Sequence, residues 1–264
     1  MARVEPVVGE PAAVADLDGE RALLVADVHA GIEVGLRYER GVELDSRADE
    51  RRERLCDLVV ETDADRLVVL GDLAHRIGAP DGDEREELET LIRAVTDRVP
   101  MTLVEGNHDA GVAAAFAADL DVIGSEGGFL GDEPTSGVAV CHGHTWPDPA
   151  LLDADVVCTG HEHPQVRLED AVGGSRVERA WLRGELDPAA FVEDAGDERD
   201  GSDPPEDDSD PPELVVFPAF NERSGGTWVN VEGQSFLAPY LPAALPAADA
   251  YLLDGTRLGD YRQV

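Results

Sequence analysis

The sequence predicts an α/β protein that opens with a parallel βαβαβ unit and continues into a second, more antiparallel sheet. Three observations carry this reading. Short Val- and Leu-rich runs of strand length recur along the chain, two segments of helical period separate the first three of them, and after residue 137 the runs follow one another across turn- or loop-length gaps. In order, "RALLVAD" (21–27), "RLVVLGD" (66–72), "MTLVEGN" (101–107), "GVAVCHG" (137–143) and "DVVCTGH" (155–161) read as buried strands. The amphipathic helices are expected over 46–61 and 83–99, the second opening on acids that suit a helix N-terminus. "QVRLE", "VERAWLR" and "LVVFPAF" supply later strands, and the closing "DAYLLDGTRLGDYRQV" is read as an added edge strand.

A chain of 264 residues can bury one large core, so a single domain over 1–264 is expected. Residues 195–213, "AGDERDGSDPPEDDSDPPE", hold no large apolar side chain, cannot offset their ordering entropy, and are expected to form a disordered acidic loop. The chain has 57 acidic residues against 21 basic ones, a formal charge of -36, and every basic residue is arginine. Such a field repels other polyanions at ordinary ionic strength and argues against a broad electrostatic grip on nucleic acid. The acids spread along most of the chain, which favours adaptation to solvent over one acidic docking face. Acid excess without lysine is similar to the composition of cytosolic proteins of salt-accumulating archaea. Cys56, Cys141 and Cys158 show no paired spacing, the N-terminus lacks the pattern of a secretory leader, and no apolar run approaches membrane-spanning length. A cytoplasmic protein without a membrane segment is the expectation.

All seven histidines, His29, His75, His108, His142, His144, His161 and His163, fall at or just past the end of a predicted strand, on the rim where open α/β sheets bind ligands. Each block, "ADVHAG", "LGDLAHR", "EGNHDA", "CHGHTW" and "TGHEHP", adds a carboxylate, an amide or a second imidazole. One histidine at a strand end is more often structural than functional; seven on one rim point to divalent transition ions, which take imidazole with carboxylate and amide oxygen. In "GHEHP" the two imidazoles are two residues apart and can serve neighbouring ions, while Gly160 lets the backbone come close.

The ordered series D-x-H, G-D-x-x-H, G-N-H-D, H-G-H and G-H-x-H, running from residue 27 to 163, resembles the calcineurin-like metallophosphoesterase superfamily. "FPAFNERSGG" (217–226) with "GDLAHR" is more narrowly similar to archaeal phosphoesterases related to the exonuclease subunit of break-repair complexes. The resemblance implies a four-layer α/β/β/α sandwich of two mixed sheets, with metals at one edge. It implies that Asp27, His29, Asp72 and His163 hold one divalent ion and that Asp72, Asn107, His142 and His161 hold a second, Asp72 bridging. Manganese is expected, with iron, nickel, cobalt or zinc also compatible. His108 is implied as the catalytic acid or charge stabiliser at the leaving oxygen with Asp109 orienting it, His75 as a second catalytic or substrate-orienting group, and His144 as either a substrate contact or a support for His142, the support preferred. The implied reaction is hydrolysis of a phosphodiester by a hydroxide shared between the ions. Counting +4 from two ions against -2 from the aspartates and -1 from the hydroxide leaves the centre near +1, so a phosphate is drawn in locally.

Departures from the pattern are Glu105 before "GNHD" and Ala74 where close relatives often have lysine. The 30 to 50 residues after the acidic stretch are too few for a separate capping or docking domain of usual size, so no ATPase partner is expected. Nucleic acid, cyclic nucleotides and phosphomonoesters stay open as substrates, and a non-catalytic scaffold on the same fold is the second class. Arg47, Arg51 and Arg54 fall near one helical face as a candidate nucleic-acid contact, with a solvated helix surface as the preferred explanation because Asp49, Glu50 and Glu53 interleave.

Overall fold

The computed structural model describes residues 3–131, 137–170, 172–191 and 210–264. The first sheet contains β1 (Val4–Pro6), β2 (Ala12–Asp16), β3 (Arg21–Val25), β4 (Arg66–Val69), β5 (Met101–Val104) and β6 (Asp121–Ile123), in that spatial order. β1 to β3 are antiparallel neighbours and β3 to β6 are parallel, which is the expected βαβαβ unit extended by an N-terminal hairpin and an edge strand. Its helices are α1 (Ile32–Arg40), α2 (Ala48–Glu61), α3 (Gly82–Thr96) and the short α4 (Ala110–Ala115). The second sheet holds β7 (Gly128–Leu130), β8 (Val138–Cys141), β9 (Val156–Thr159), β10 (Gln165–Glu169), β11 (Ser175–Glu185), β12 (Glu213–Val216), β13 (Asp249–Leu252) and β14 (Arg257–Asp260). It is mixed: β8, β9 and β12 run parallel, the remaining pairings are antiparallel, and β14 lies at its edge as the closing stretch predicts.

The period of two along each strand assigns side chains to three separate cores. Leu23, Val25, Leu67, Val69 and Leu103 meet Leu55, Leu58 and Val59 of α2 and Leu88, Leu91, Ile92 and Val95 of α3. Their alternates Ala22, Leu24, Val68 and Leu70 meet Val138, Val140, Cys158, Trp181, Val215 and Phe217 between the sheets. Cys141, Val157, Leu182, Leu214 and Val216 face the outer layer, which includes Phe191 of α5 (Pro188–Phe191), Tyr240, Leu245 and Tyr261. The protein is thus an α/β sandwich of two mixed sheets with flanking helices. Among the described residues, its fourth layer is built largely from turns, with α5 and a 3-10 turn over Pro149–Asp153. Of the expected acidic loop at 195–213, residues 195–209 lie outside the described residues, and Glu213 opens β12.

The arginine face of α2 is solvated only in part: the side chains of Arg47 and Arg54 stay 44% and 33% exposed, whereas Arg51 turns inward. Arg51 is 7% exposed and its guanidinium donates to both oxygens of Glu33 on α1, at 2.9 and 2.7 Å, and to Glu87 on α3, at 2.6 Å. Arg54 pairs with Glu10 and Arg47 with Glu222. Spacing placed these arginines on one face correctly; what it missed is that two helices, with Glu33 and Glu87, and two loops, with Glu10 and Glu222, turn carboxylates toward that face. Removing one partner of a buried pair strands the other charge, so Arg51→Met should lower the unfolding free energy by about 3–5 kcal/mol. Chemical denaturation measures this, and a loss under about 1 kcal/mol would show that the network does not tie the helices together.

Candidate metal centre

Five loops at the C-terminal ends of β3, β4, β5, β8 and β9 converge, because parallel neighbours deliver their chain reversals to the same edge of each sheet. The loops after β3 and β4 stay side by side past their strands: Asp27 N–H donates to the Gly71 carbonyl at 3.1 Å, and His29 N–H to the Asp72 carbonyl at 2.9 Å. Two close approaches need glycine. A Cβ on Gly71, which has φ 83°, would collide with the His142 ring, and one on Gly160 would come within 2.7 Å of the Leu70 carbonyl.

All seven residues expected to hold metal are brought together. Donor atoms of Asp27, His29 and His163 lie within 4.8 Å of one another, as do those of Asp72, His142 and His161. Asn107 Oδ1 is 3.2 Å from His142 Nε2 and completes the second group. Asp72 stands between the groups, Oδ1 at 3.4 Å from His142 Nε2 and Oδ2 at 3.9 Å from His29 Nε2. His161 and His163 fall in different groups, as the spacing in "GHEHP" predicts.

Of the residues given catalytic roles, His108 places Nε2 at 3.7 Å from Asp72 Oδ2, and a third set of donors within 4.8 Å joins it to His29 and Asp72. The His75 ring lies 5.4 Å from that of His29 and 6.1 Å from that of His108. Asp109 does not orient His108. It is fully buried and accepts the N–H groups of Gly106 at 3.1 Å and Ala74 at 3.3 Å, so it ties the "GNHD" loop to the "GDLAH" loop. The His75 carbonyl takes the orienting role by accepting from His108 Nδ1. Burial, with the Asp72 charge beside it, raises the Asp109 carboxyl to about 6, which suits an anchor better than an anion facing substrate. His144 does not fasten His142 either: His142 Nδ1 donates to the Leu70 carbonyl at 2.7 Å, while His144 packs ring on ring, 5.3 Å from His142 and 6.0 Å from His161.

Several positioning residues escape sequence reasoning. Glu162, fully buried between the two imidazoles of "GHEHP", accepts the N–H of Leu237 at 2.9 Å and of Ala238 at 3.2 Å, anchoring that loop to the outer layer. Asn221 receives no role in the motif but donates Nδ2 to the carbonyls of Val28 and His29 at 2.9 and 3.2 Å. Glu84 accepts the N–H groups of His75 and Arg76, and Glu87 that of Gly31, so α3 holds two site loops from behind.

The electrostatics suit cations. Asp27 and Asp72 are 0% and 2% exposed, and among the described residues no guanidinium lies within 4.0 Å of either; their partners are imidazoles. Burial pushes both carboxyls up, yet His163 with His142 for Asp27, and His142 with His29 for Asp72, outweigh it and hold both below the usual range. Burial lowers His29 and His161 to about 4, so both stay neutral and able to coordinate at pH 7. His142 goes the other way: burial lowers it, but its hydrogen bond to Asp72 raises it to about 9. Nδ1 of His29 is buried without a hydrogen-bond partner, while Nε2 of His163 lies 3.1 Å from Asp27 Oδ1. Two anions short of counter-charge, ringed by imidazole nitrogens, are the donor set that divalent cations complete.

Because its bond to Asp72 favours the protonated ring, His142 would give up a proton on serving as a metal ligand. Calorimetric manganese titrations at pH 7.5 in buffers of different ionisation heat should show release of about one proton per chain, abolished in His142→Ala. Binding without proton release would exclude His142 from the ligand set.

The fold and motifs have recognisable relatives. The DNA double-strand break repair protein Mre11 of Archaeoglobus fulgidus is 34% identical over 85 residues, which make up 32% of this chain and 18% of that protein. The match thus spans under a fifth of that relative's length. The crystal structure of Pseudomonas putida nuclease MPE superposes with a TM-score of 0.53 at 21% identity, covering 95% of this chain and 97% of that one, and shows the same fold. The phosphoesterase Yfce from E. coli aligns with a TM-score of 0.38 at 15% identity over 90% of this chain and 97% of its own. The model of the calcineurin-like phosphoesterase family matches residues 20–165, a stretch that contains every clustered histidine and more than half of the sequence; the chain belongs to that family and is a hydrolase.

Proposed function

We propose that residues 1–264 form one domain, a cytoplasmic two-metal phosphodiesterase acting on nucleic-acid diesters. The observation that carries this reading is the pair of buried aspartates, ringed by imidazoles from five loops and lacking any guanidinium counter-ion among the described residues. Asp27, His29, Asp72 and His163 would hold one divalent cation, and Asp72, Asn107, His142 and His161 the other, with manganese the ion of choice. When bound, such a pair acidifies a water and offsets the charge that builds on the phosphoryl oxygens. Nucleic acid as substrate is supported by what the related proteins are named for, a break-repair protein and a nuclease.

The chain's own contribution centres on His108. Its Nδ1–H donates to the His75 carbonyl, which fixes the tautomer and aims Nε2 at the cluster. In the doubly protonated ring Nε2–H is then the group that delivers a proton to the leaving oxygen, leaving the neutral Nδ1–H tautomer bonded to the His75 carbonyl. The His75 ring, edge-on to His29, lines the same side and orients the phosphate. Asp109 and Glu84 act only by holding these loops.

A proton donor matters most when the leaving group is a poor one. His108→Ala should lower turnover of a dinucleotide diester by about 10²- to 10⁴-fold while lowering that of bis-p-nitrophenyl phosphate far less, since p-nitrophenolate leaves unprotonated. Steady-state kinetics with manganese at high salt measure both. Equal losses on the two substrates would remove His108 from the role of acid, and absence of diester hydrolysis by the wild-type chain with manganese, iron, nickel or cobalt would overturn the reading altogether.

A further inference from the structure

A second cavity, of about 260 Å³, lies behind the loop that carries Asp27 and His29. Its walls include Arg47, Arg54, Arg179 and Arg223, and Pro11 and Phe220 give it an apolar patch. Three of these guanidinia are matched by carboxylates: Arg47 by Glu222 at 2.7 Å, Arg54 by Glu10 at 2.5 Å and Arg223 by Glu33 at 2.7 Å. Arg51, deeper in the wall, is matched by Glu33 and Glu87. Arg179 alone among the arginines of this cavity has no carboxylate within 4.0 Å among the described residues. Its Nη1 donates to the carbonyls of Ala219 and Phe220, at 3.0 and 3.2 Å, and its remaining donors find no acceptor among the described residues.

The arrangement is conspicuous in a chain where acids outnumber arginines 57 to 21. Burial pushes the Arg179 guanidinium below its usual value, the sign of a cation that is partly desolvated and under-compensated. A planar fork with free donors, held beside apolar surface, suits a planar or tetrahedral oxyanion carried on an organic body.

We propose that this cavity is a binding site for a phosphomonoester, with Arg179 as its anion-holding residue and Pro11 and Phe220 receiving the attached organic group. The site stands on its own geometry; the choice of phosphomonoester rests on the proposed reaction, which releases that class of product. It is separate from the metal centre yet shares a wall with it. Asn221 lines the cavity and bonds the backbone of Asp27, Val28 and His29, so an occupant would sit against the residue that positions two candidate ligands.

Equilibrium dialysis of the full chain loaded with manganese, using adenosine 5′-monophosphate and, separately, inorganic phosphate, tests this. Wild type should bind one more equivalent of the nucleotide than Arg179→Gln does, with affinity at that site falling about tenfold or more in the variant. Glu222→Lys, which adds a cation on the exposed wall, should tighten the same site and provides a reading if Arg179→Gln fails to fold. Stronger binding of the nucleotide than of phosphate supports the apolar contact. Identical stoichiometry and affinity in wild type and a folded Arg179→Gln, or no effect of Glu222→Lys, overturns the proposal. Diester turnover, scored in parallel, reports on the metal centre alone, so failure of that function and failure of this site are distinguishable.

Discussion

The architecture around the site depends on keeping two carboxylates, Asp27 and Asp72, out of water with no guanidinium to compensate them. An isolated buried carboxylate carries a desolvation penalty of several kcal/mol, and a neighbouring imidazole repays it only when protonated. The fold meets this by drawing imidazoles from every loop on the rim, and the residual deficit of positive charge is what selects for divalent cations. Filled by two divalent cations, the proposed centre would carry the local positive charge that lets a chain with a formal charge of -36 attract a phosphate. Surface acids are screened within about 8–10 Å at ordinary ionic strength, so such a centre would dominate the field that a reacting group meets.

Behind the ligands stands a set of buried acids whose work is mechanical. Glu84, Glu87 and Asp109 accept backbone N–H groups from loops of the site, Glu162 on one such loop accepts those of Leu237 and Ala238 in the outer layer, and Arg51 joins Glu87 to Glu33. Each such bond satisfies a buried donor that would otherwise cost about 1–3 kcal/mol. Loops without regular structure become as well determined as strands, which a site needing sub-ångström placement requires.

Much of this was legible in the sequence, and the reason is physical. β3, β4, β5, β8 and β9 are buried on both faces, so each reads as an unbroken apolar run, and the histidine blocks follow them directly. α2 and α3 announce themselves by Leu55, Leu58 and Val59 and by Leu88, Leu91 and Val95. β1, β2 and β6 are three to five residues long, below the length at which alternation is distinctive, and α1 carries Gly35 in its middle, packed against the His75 ring. The outer layer after residue 217 has too little regular structure for periodicity to detect. The anchoring acids were illegible for a different reason: among 57 acidic residues, residue type carries no information about which few turn inward. The inward course of Arg51 was hidden likewise, since its partners lie 18 and 36 positions away.

Five of the seven non-glycine residues with positive φ among those described are candidate ligands: Asp27 at 57°, His29 at 45°, Asp72 at 52°, His161 at 64° and His163 at 45°. This region is sparsely populated for ordinary side chains, tolerated best by asparagine, aspartate and histidine, and worst by β-branched residues. The backbone therefore restricts the alphabet of the centre before any metal chemistry does. Exchange among aspartate, asparagine and histidine can retune the cations the centre prefers at little conformational expense. Redesign with threonine or valine at these five positions would be opposed by the main chain itself, so natural variation and laboratory selection alike are channelled toward a narrow family of hard, oxygen- and nitrogen-bound ions.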